Sequence, residues 1–229
     1  MTITTTTAPS LASAMRDGSR TEHEAAEGSS FMAELLDGRL NERGYVDYLL
    51  RLRTAYEAME DAVRATADDP MVAAVHDPSL ERLAALDADL AYWTARTPGG
   101  ADLGAPASPA AEAYADRLRA ARRQAAEGWG GALVAHHYTR YLGDLSGGQA
   151  IGRILSRSFD LTDGGGVDFY AFPAIAKPKP YKDAYRARLD GLGLDEAGVR
   201  RVVEEVKVAF TLNQALFAEL GRQLPAYRR

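Results

Sequence analysis

Residues His136–Leu155 read HHYTRYLGDLSGGQAIGRIL. Both flanks are helical, with Tyr138, Tyr141, Leu142, Leu145, Ile151, Ile154 and Leu155 recurring at mostly helical spacing. Yet Gly143, Gly147 and Gly148 fall in the interior, with Gly152 beyond. Each interior glycine costs a helix roughly 0.5–1 kcal/mol relative to alanine. Gly143 and Gly147 are one turn apart and share a face, while Asp144 and Gly148 share the adjacent one. Such a helix bends easily, and a flat partner can approach its bare backbone to van der Waals distance. A second helix, a membrane neighbour or a planar cofactor would each serve. Close helix–helix packing is the commonest use of glycines four apart, but it does not call for an aspartate and a serine in the patch.

Outward from this stretch the pattern stays helical. Residues 11–28 read as a first helix, with Leu11, Met15 and His23 on one side. A second begins near Phe31 and ends at Gly38. NERGYVDYLLRLRTAYEAMEDAVRATADD, starting at Asn41, is amphipathic, with Tyr45, Tyr48, Leu49, Leu52, Tyr56, Met59 and Val63 as its buried stripe. Pro70 ends it or opens the next segment. Asp77 is an N-cap, with Pro78 at the first helical position after it. The fourteen residues TPGGADLGAPASPA form a flexible loop with three Pro and three Gly. Helices follow at 109–126 and 129–158, then a second long loop, DLTDGGGVDFYAFPAIAKPKP. Two more helices run from Tyr181 to Gly221, and Val199, Val202, Val206, Phe210, Asn213, Phe217 and Leu220 make one face of the last. Strand signals are sparse, and there is no internal repeat. The fold class is therefore all-α, a single-domain helical bundle over residues 11–221. Residues 1–10 are read as a disordered tail and 222–229 as a C-terminal tail.

Composition narrows the function. None of the 229 residues is cysteine, so disulfides, thiolate zinc sites and cysteine nucleophiles are excluded. The absence fits a reducing cytoplasm. A net charge of −5 argues against general nucleic-acid binding. No run approaches the ~18 apolar residues of a membrane span, and the start lacks a secretory apolar core. No membrane anchor is seen.

Histidines are scarce: His23, His76, His136 and His137. The last three are read as surface or packing residues. Glu27 follows His23 by one turn on the same face, where a carboxylate can orient an imidazole and fix its tautomer. One imidazole with such an acid behind it, opposite a glycine-lined wall, is what a haem pocket needs. Arg16 and Arg20 precede His23, and Lys177, Lys179, Lys182, Arg186 and Arg188 cluster further on. A macrocycle carrying two carboxylates needs such partners at its edge. A di-iron carboxylate bundle would require Glu-x-x-His pairs, which do not occur.

At these residues the sequence resembles a known family. AHHYTRYLGDLSGGQAIGRIL is similar to the distal-helix motif of the haem oxygenases. TEHEAAEGSSFMAELLDGRL resembles their proximal-helix segment, and YKDAYRARLDGLGLDEAGVRRVVEEVKVAFTLNQALFAEL their C-terminal helices. The likeness spans about residues 11–221 and is closest to the soluble bacterial type. It implies haem sandwiched between a proximal helix and a kinked, Gly-rich distal helix. His23 would be the iron ligand, with Glu27 on its other ring nitrogen. Gly143 and Gly147 would lie against the distal haem face, and Gly148, in the same motif, would count among the haem-binding residues. Asp144 would hold waters beside bound O2, with Tyr56 and Arg140 in the same network. Arg16, Arg20, Tyr138, Lys182 and Arg186 would meet the propionates or their surroundings, and Phe210 and Asn213 the far wall. The implied activity opens haem at a meso carbon to biliverdin, with release of CO and ferrous iron. O2 would be the co-substrate, and electrons would come from a ferredoxin or a flavoprotein reductase docking near Lys177–Arg188. The resemblance points to a cytoplasmic monomer. A haem carrier on the same fold is the rival; it would bind haem without turning it over.

Overall fold

The computed structural model describes residues 10–96, 107–162 and 164–229. The N-terminal tail, save Ser10, and residues 97–106 of the first long loop lie outside the described residues. Among the described residues the named elements are all helical, and the only other pairing is an isolated antiparallel bridge between Leu40 and Arg228.

The central element is α4 (Glu42–Ala65). Asn41 caps it, its side chain accepting from the Gly44 amide at 3.0 Å. The expected stripe from Tyr45 to Val63 is buried, against α6 (Leu83–Arg96) and α7 (Pro109–Ala126). Pro70 opens α5 (Pro70–Val75), capped by Asp69. Asp77 caps only a 3-10 turn, Pro78–Leu80. The amides of Arg82 and Leu83, at the start of α6, are taken by Glu60 Oε1 at 2.6 and 3.0 Å.

The expected helix over 11–28 is two: α1 (Leu11–Gly18) and α2 (Arg20–Glu27). Ser19 Oγ donates to the Met15 carbonyl at 2.7 Å and takes up one freed acceptor at the break. A Cβ at Gly18 would come 2.6 Å from Val203 Cγ1, so the junction sits tight on α11 (Glu196–Gly221). α3 (Ser30–Leu36) follows, capped by Ser29. α11 packs against α2, α3 and α8 (Gly131–His137).

The glycine-rich stretch is not interrupted. After α8, Tyr138–Leu142 and Asp144–Gly148 are wound as π-helix, and α9 (Gln149–Ser158) continues them. Gly143 and Gly148 keep right-handed helical dihedrals. The strain is absorbed as wider turns, a form of winding common at functional sites.

The second long loop is pinned. Asp89, fully buried, accepts from the amides of Asp168 and Phe169 at 2.7 and 2.8 Å. Trp93 Nε1 donates to the Gly166 carbonyl at 2.8 Å. α10 (Pro178–Asp190) then leads to α11.

The expected C-terminal tail 222–229 is instead docked. Leu224–Tyr227 form α12, with Leu224 and Tyr227 buried. Asn41 donates from its side chain to the Ala226 carbonyl at 2.9 Å, and Arg228 pairs with Glu34 at 2.8 Å. Two apolar side chains three apart suffice to seat one helical turn over the start of α4.

Candidate functional site

α1 and α2 face the π-wound segment across a cleft. Its outer cavity, about 560 Å³, is lined by Arg16, His23, Tyr138, Gly143, Ser146 and Arg186 among others. An inner pocket of about 140 Å³ shares His23, Gly143 and Phe210 with it and reaches Tyr48, Asp144 and Asn213.

His23 is held on one wall. Its Nδ1 lies 3.6 Å from Glu27 Oε2, a contact longer than a hydrogen bond, with both side chains solvent-accessible. The ring packs edge-on against Phe210, centroids 5.3 Å apart at 79°. With Nδ1 turned to the carboxylate, Nε2 is the nitrogen left for a ligand bond. The opposite wall is bare main chain at Gly143, where a built Cβ meets no atom within 4 Å; a Cβ at Gly147 also meets none, but Gly147 lines neither cavity.

Gly148 does something else. A Cβ there would sit 3.2 Å from Tyr170 Cδ1, and one at Gly152 3.1 Å from Tyr170 Cβ. These two glycines seat Tyr170, and neither lines the outer cavity or the inner pocket.

Behind the bare wall lies a polar network. The Tyr56 hydroxyl donates to Asp144 Oδ2. Arg140 Nε donates to the Tyr56 hydroxyl at 3.1 Å, and Arg140 Nη1 to Asn213 Oδ1 at 2.5 Å. Burial pushes the Asp144 carboxyl above its usual range, against the pull of Arg140, the Tyr56 hydrogen bond and Arg82. Burial alone would lower Arg140, but the Tyr56 oxygen and Asp144 outweigh it and hold the guanidinium charged. A half-buried carboxylate is thus fixed at the inner pocket by the Tyr56 hydroxyl, which does not itself line it, while Arg140 and Asn213 behind that bond do.

The basic edge is present but engaged. Arg16 and Arg20 both reach Asp17 Oδ1, at 3.0 and 3.3 Å. Lys182 Nζ donates to Ser146 Oγ at 2.9 Å, which ties α10 to the π-wound segment. Lys182 touches the cleft only through Ser146, whereas Arg186 lines it and pairs with Asp183 at 3.2 Å. These pairs are solvent-exposed and cost little to exchange for a stronger dianion.

Several residues here escape sequence reasoning. Asp17 and Ser146 hold the basic edge, and Tyr48 and Thr139 line the cleft. Asp17 had a local signal, since it neighbours Arg16 and lies three before Arg20. His136 and His137 are buried packing residues. His136 Nε2 meets Glu205 at 2.9 Å, and His137 Nδ1 meets the Tyr185 hydroxyl at 2.8 Å.

Comparison with known proteins agrees with this geometry. The family model described as "Heme oxygenase" matches residues 9–219. "Heme oxygenase 1" of Homo sapiens is 38% identical, over 93% of this chain and 73% of that protein. "Heme oxygenase 1" of Synechocystis sp. is 36% identical, over 93% and 86%. The structure of heme oxygenase-1 from Synechocystis sp. PCC 6803 in complex with heme superposes with a TM-score of 0.85 at 35% identity, covering 95% of this chain and 96% of that one. Heme oxygenase-2 from the same organism, in complex with heme and NO, gives 0.85 at 34%, covering 95% and 88%. A cleft with an imidazole on one wall and bare backbone on the other, in a chain matched along nearly its whole length, leads to one conclusion: the chain belongs to the heme oxygenase family.

Proposed function

We propose that the cleft binds haem as substrate and opens it at a meso carbon to biliverdin, releasing CO and ferrous iron, with O2 and external electrons consumed. The observation that carries this is the placement of His23 and the bare Gly143 backbone on opposite walls of one cleft. The residues present fit a haem. One nitrogen is free for iron, two glycine positions open onto empty space, and cationic and phenolic groups sit at the mouth. Bound haem supplies the iron at which O2 is reduced.

The chain's own residues supply the rest. His23 would hold the iron through Nε2, a neutral ligand weaker in electron donation than a thiolate. Glu27 would orient the imidazole from Nδ1. Gly143 and Gly147 would let a flat ligand lie against bare backbone and would offer it no acid or base side chain, limiting the directions from which O2 could approach. Asp144 receives the Tyr56 hydrogen bond on Oδ2, which leaves Oδ1 as the atom that would accept from a water and hold a proton relay at the inner pocket. Tyr56, Arg140 and Asn213 keep that carboxylate in place. Arg16, Arg20, Tyr138, Lys182 and Arg186 hold the two propionates and so set the rotation of the ring, with Phe210 closing the side.

A ferredoxin or flavoprotein reductase would deliver electrons at the basic edge, because the sequence has no flavin or nicotinamide motif. We place the reaction in the cytoplasm, carried out by a single chain. Among the described residues no helix is long and apolar enough to cross a membrane. The test is to load the purified protein with hemin and supply ascorbate or reduced ferredoxin in air. Loss of the Soret band with growth of a biliverdin band is the expected result; a Soret band that persists through repeated reduction would identify a carrier.

A further inference from the structure

Arg82 is a buried cation that the reaction described above does not use. It is 6% exposed, and among the described residues no carboxylate is paired with its guanidinium. Instead Nε donates to the Leu80 carbonyl at 3.0 Å, Nη1 donates to the Ala171 carbonyl, and the plane lies 3.9 Å over the Phe172 ring. Burying an arginine on two carbonyls and an aromatic face is expensive unless its charge or its fork serves something nearby.

Both do. Ala171 follows the turn Asp168–Tyr170, whose Tyr170 ring lies against Gly148 and Gly152. The guanidinium therefore clamps the segment that backs the glycine-rich helix. The Arg82 amide shares Glu60 Oε1 with the Tyr141 hydroxyl, at 2.6 and 3.3 Å. Tyr141 belongs to the π-wound segment, and its ring stands edge-on to Tyr56, centroids 5.7 Å apart. Arg82 is thus attached on two sides to the supports of Asp144.

We propose that Arg82 is a positioning residue for haem opening: its fork holds residues 168–172 against the glycine-rich helix that carries Asp144. Three groups act on the Asp144 carboxylate: Arg140 from its own helix, Tyr56 from α4, and Arg82. Its charge in turn reaches the phenols of Tyr48 on α4, Tyr114 on α7, Tyr141 on its own helix and Tyr170 in the loop. The five phenols carry no positive charge, and Arg140 is already bonded to Tyr56 and Asn213. Arg82 is the second cation that favours the ionised carboxylate.

The inference rests on the proposed role of Asp144, and its test is run on haem-free protein so that the two can fail separately. The Asp144 side-chain carbon is followed by NMR through a pH titration in wild type, Arg82→Met and Arg82→Lys, together with amide exchange at Tyr170 and Ala171. Arg82→Met should raise the Asp144 midpoint above that of wild type and speed exchange. Arg82→Lys should keep the wild-type midpoint and still speed exchange, because an ammonium cannot bridge two carbonyls as a planar fork does. A wild-type midpoint in Arg82→Met overturns the charge role, and wild-type exchange in Arg82→Lys overturns the clamp. If Arg82→Met does not fold, Arg82→Lys decides: faster exchange supports the proposal and unchanged exchange overturns it. Single-turnover biliverdin yield in Asp144→Ala tests the proposed role of Asp144 separately: a wild-type yield there overturns that role without touching the clamp.

Discussion

Replacing Gly143 with alanine should make the haem-free protein more stable and its haem complex weaker. A Cβ at this position meets nothing within 4 Å, so the methyl enters without collision. The backbone is already helical, with φ −62° and ψ −51°, so alanine needs no new conformation. The gain is the propensity difference, about 0.5–1 kcal/mol, or roughly 1–4 °C in Tm for a domain of this size. The same methyl projects into the space a flat ligand would fill. Overpacking of about 1–3 kcal/mol there translates into roughly a 5- to 150-fold loss of haem affinity. Gly148→Ala is the internal control. Its Cβ would press on Tyr170 Cδ1 at 3.2 Å, so it should destabilise haem-free protein by about 1 kcal/mol, a Tm lower by roughly 2–4 °C. Thermal melts followed by circular dichroism and hemin titrations followed by the Soret band check both variants. If haem-free Gly143→Ala melts lower than wild type, or binds hemin as tightly, the reasoning about an open glycine wall is wrong.

Other outcomes follow from the same geometry. His23→Ala should abolish the axial nitrogen signature in the electron paramagnetic spectrum of the hemin complex, and an unchanged spectrum would remove His23 as ligand. Asp144→Ala should cut biliverdin yield per reductant equivalent by at least tenfold while leaving hemin affinity within a fewfold, read by single-turnover absorbance. Burial alone would raise Glu205, but hydrogen bonds from His136 and Arg117 pull its carboxyl down to about 2. A depressed acid stabilises the fold above its unfolded pKa and loses that contribution as pH falls through the folded one. Denaturation by urea should therefore show stability declining from about pH 4.5 to pH 2, by up to about 3 kcal/mol, with a flatter limb in Glu205→Gln. Tyr227→Ala should cost about 3–5 kcal/mol, since its ring seats on Gly44 and its hydroxyl bonds Asp47; a loss under 1 kcal/mol in the same assay would mean the C-terminal turn is decorative.

The helical class and the buried stripe of α4 were legible because they rest on periodicity, which burial obeys directly. His23 and the glycine patch were legible because few residue types offer a ring nitrogen or a bare backbone. The break at Gly18–Ser19 was not, since it depends on Val203, far away in sequence. The docked turn at Leu224 and Tyr227 was missed because two apolar residues are too few to show a period. The role of Gly148 depended on knowing where Tyr170 lies. Arg16 and Arg20 read as free cations because the pattern was scanned for a dianion at the cleft edge and not for Asp17 between them.

The wide turns at Tyr138–Gly148 carry a consequence for sequence length. Bonding from i to i+5 stows extra chain in each turn relative to an ordinary helix. Deleting a single residue there would be taken up as a wide turn tightened to an ordinary one, whereas the same deletion in the α-helical flank would swing everything after it by roughly 100° about the axis. In that second case Tyr170 would lose its seat, and the surfaces meeting the loop and the cleft would change places. The segment between His137 and Gln149 is thus the stretch of this helix most tolerant of a change in length, and its flanks the least.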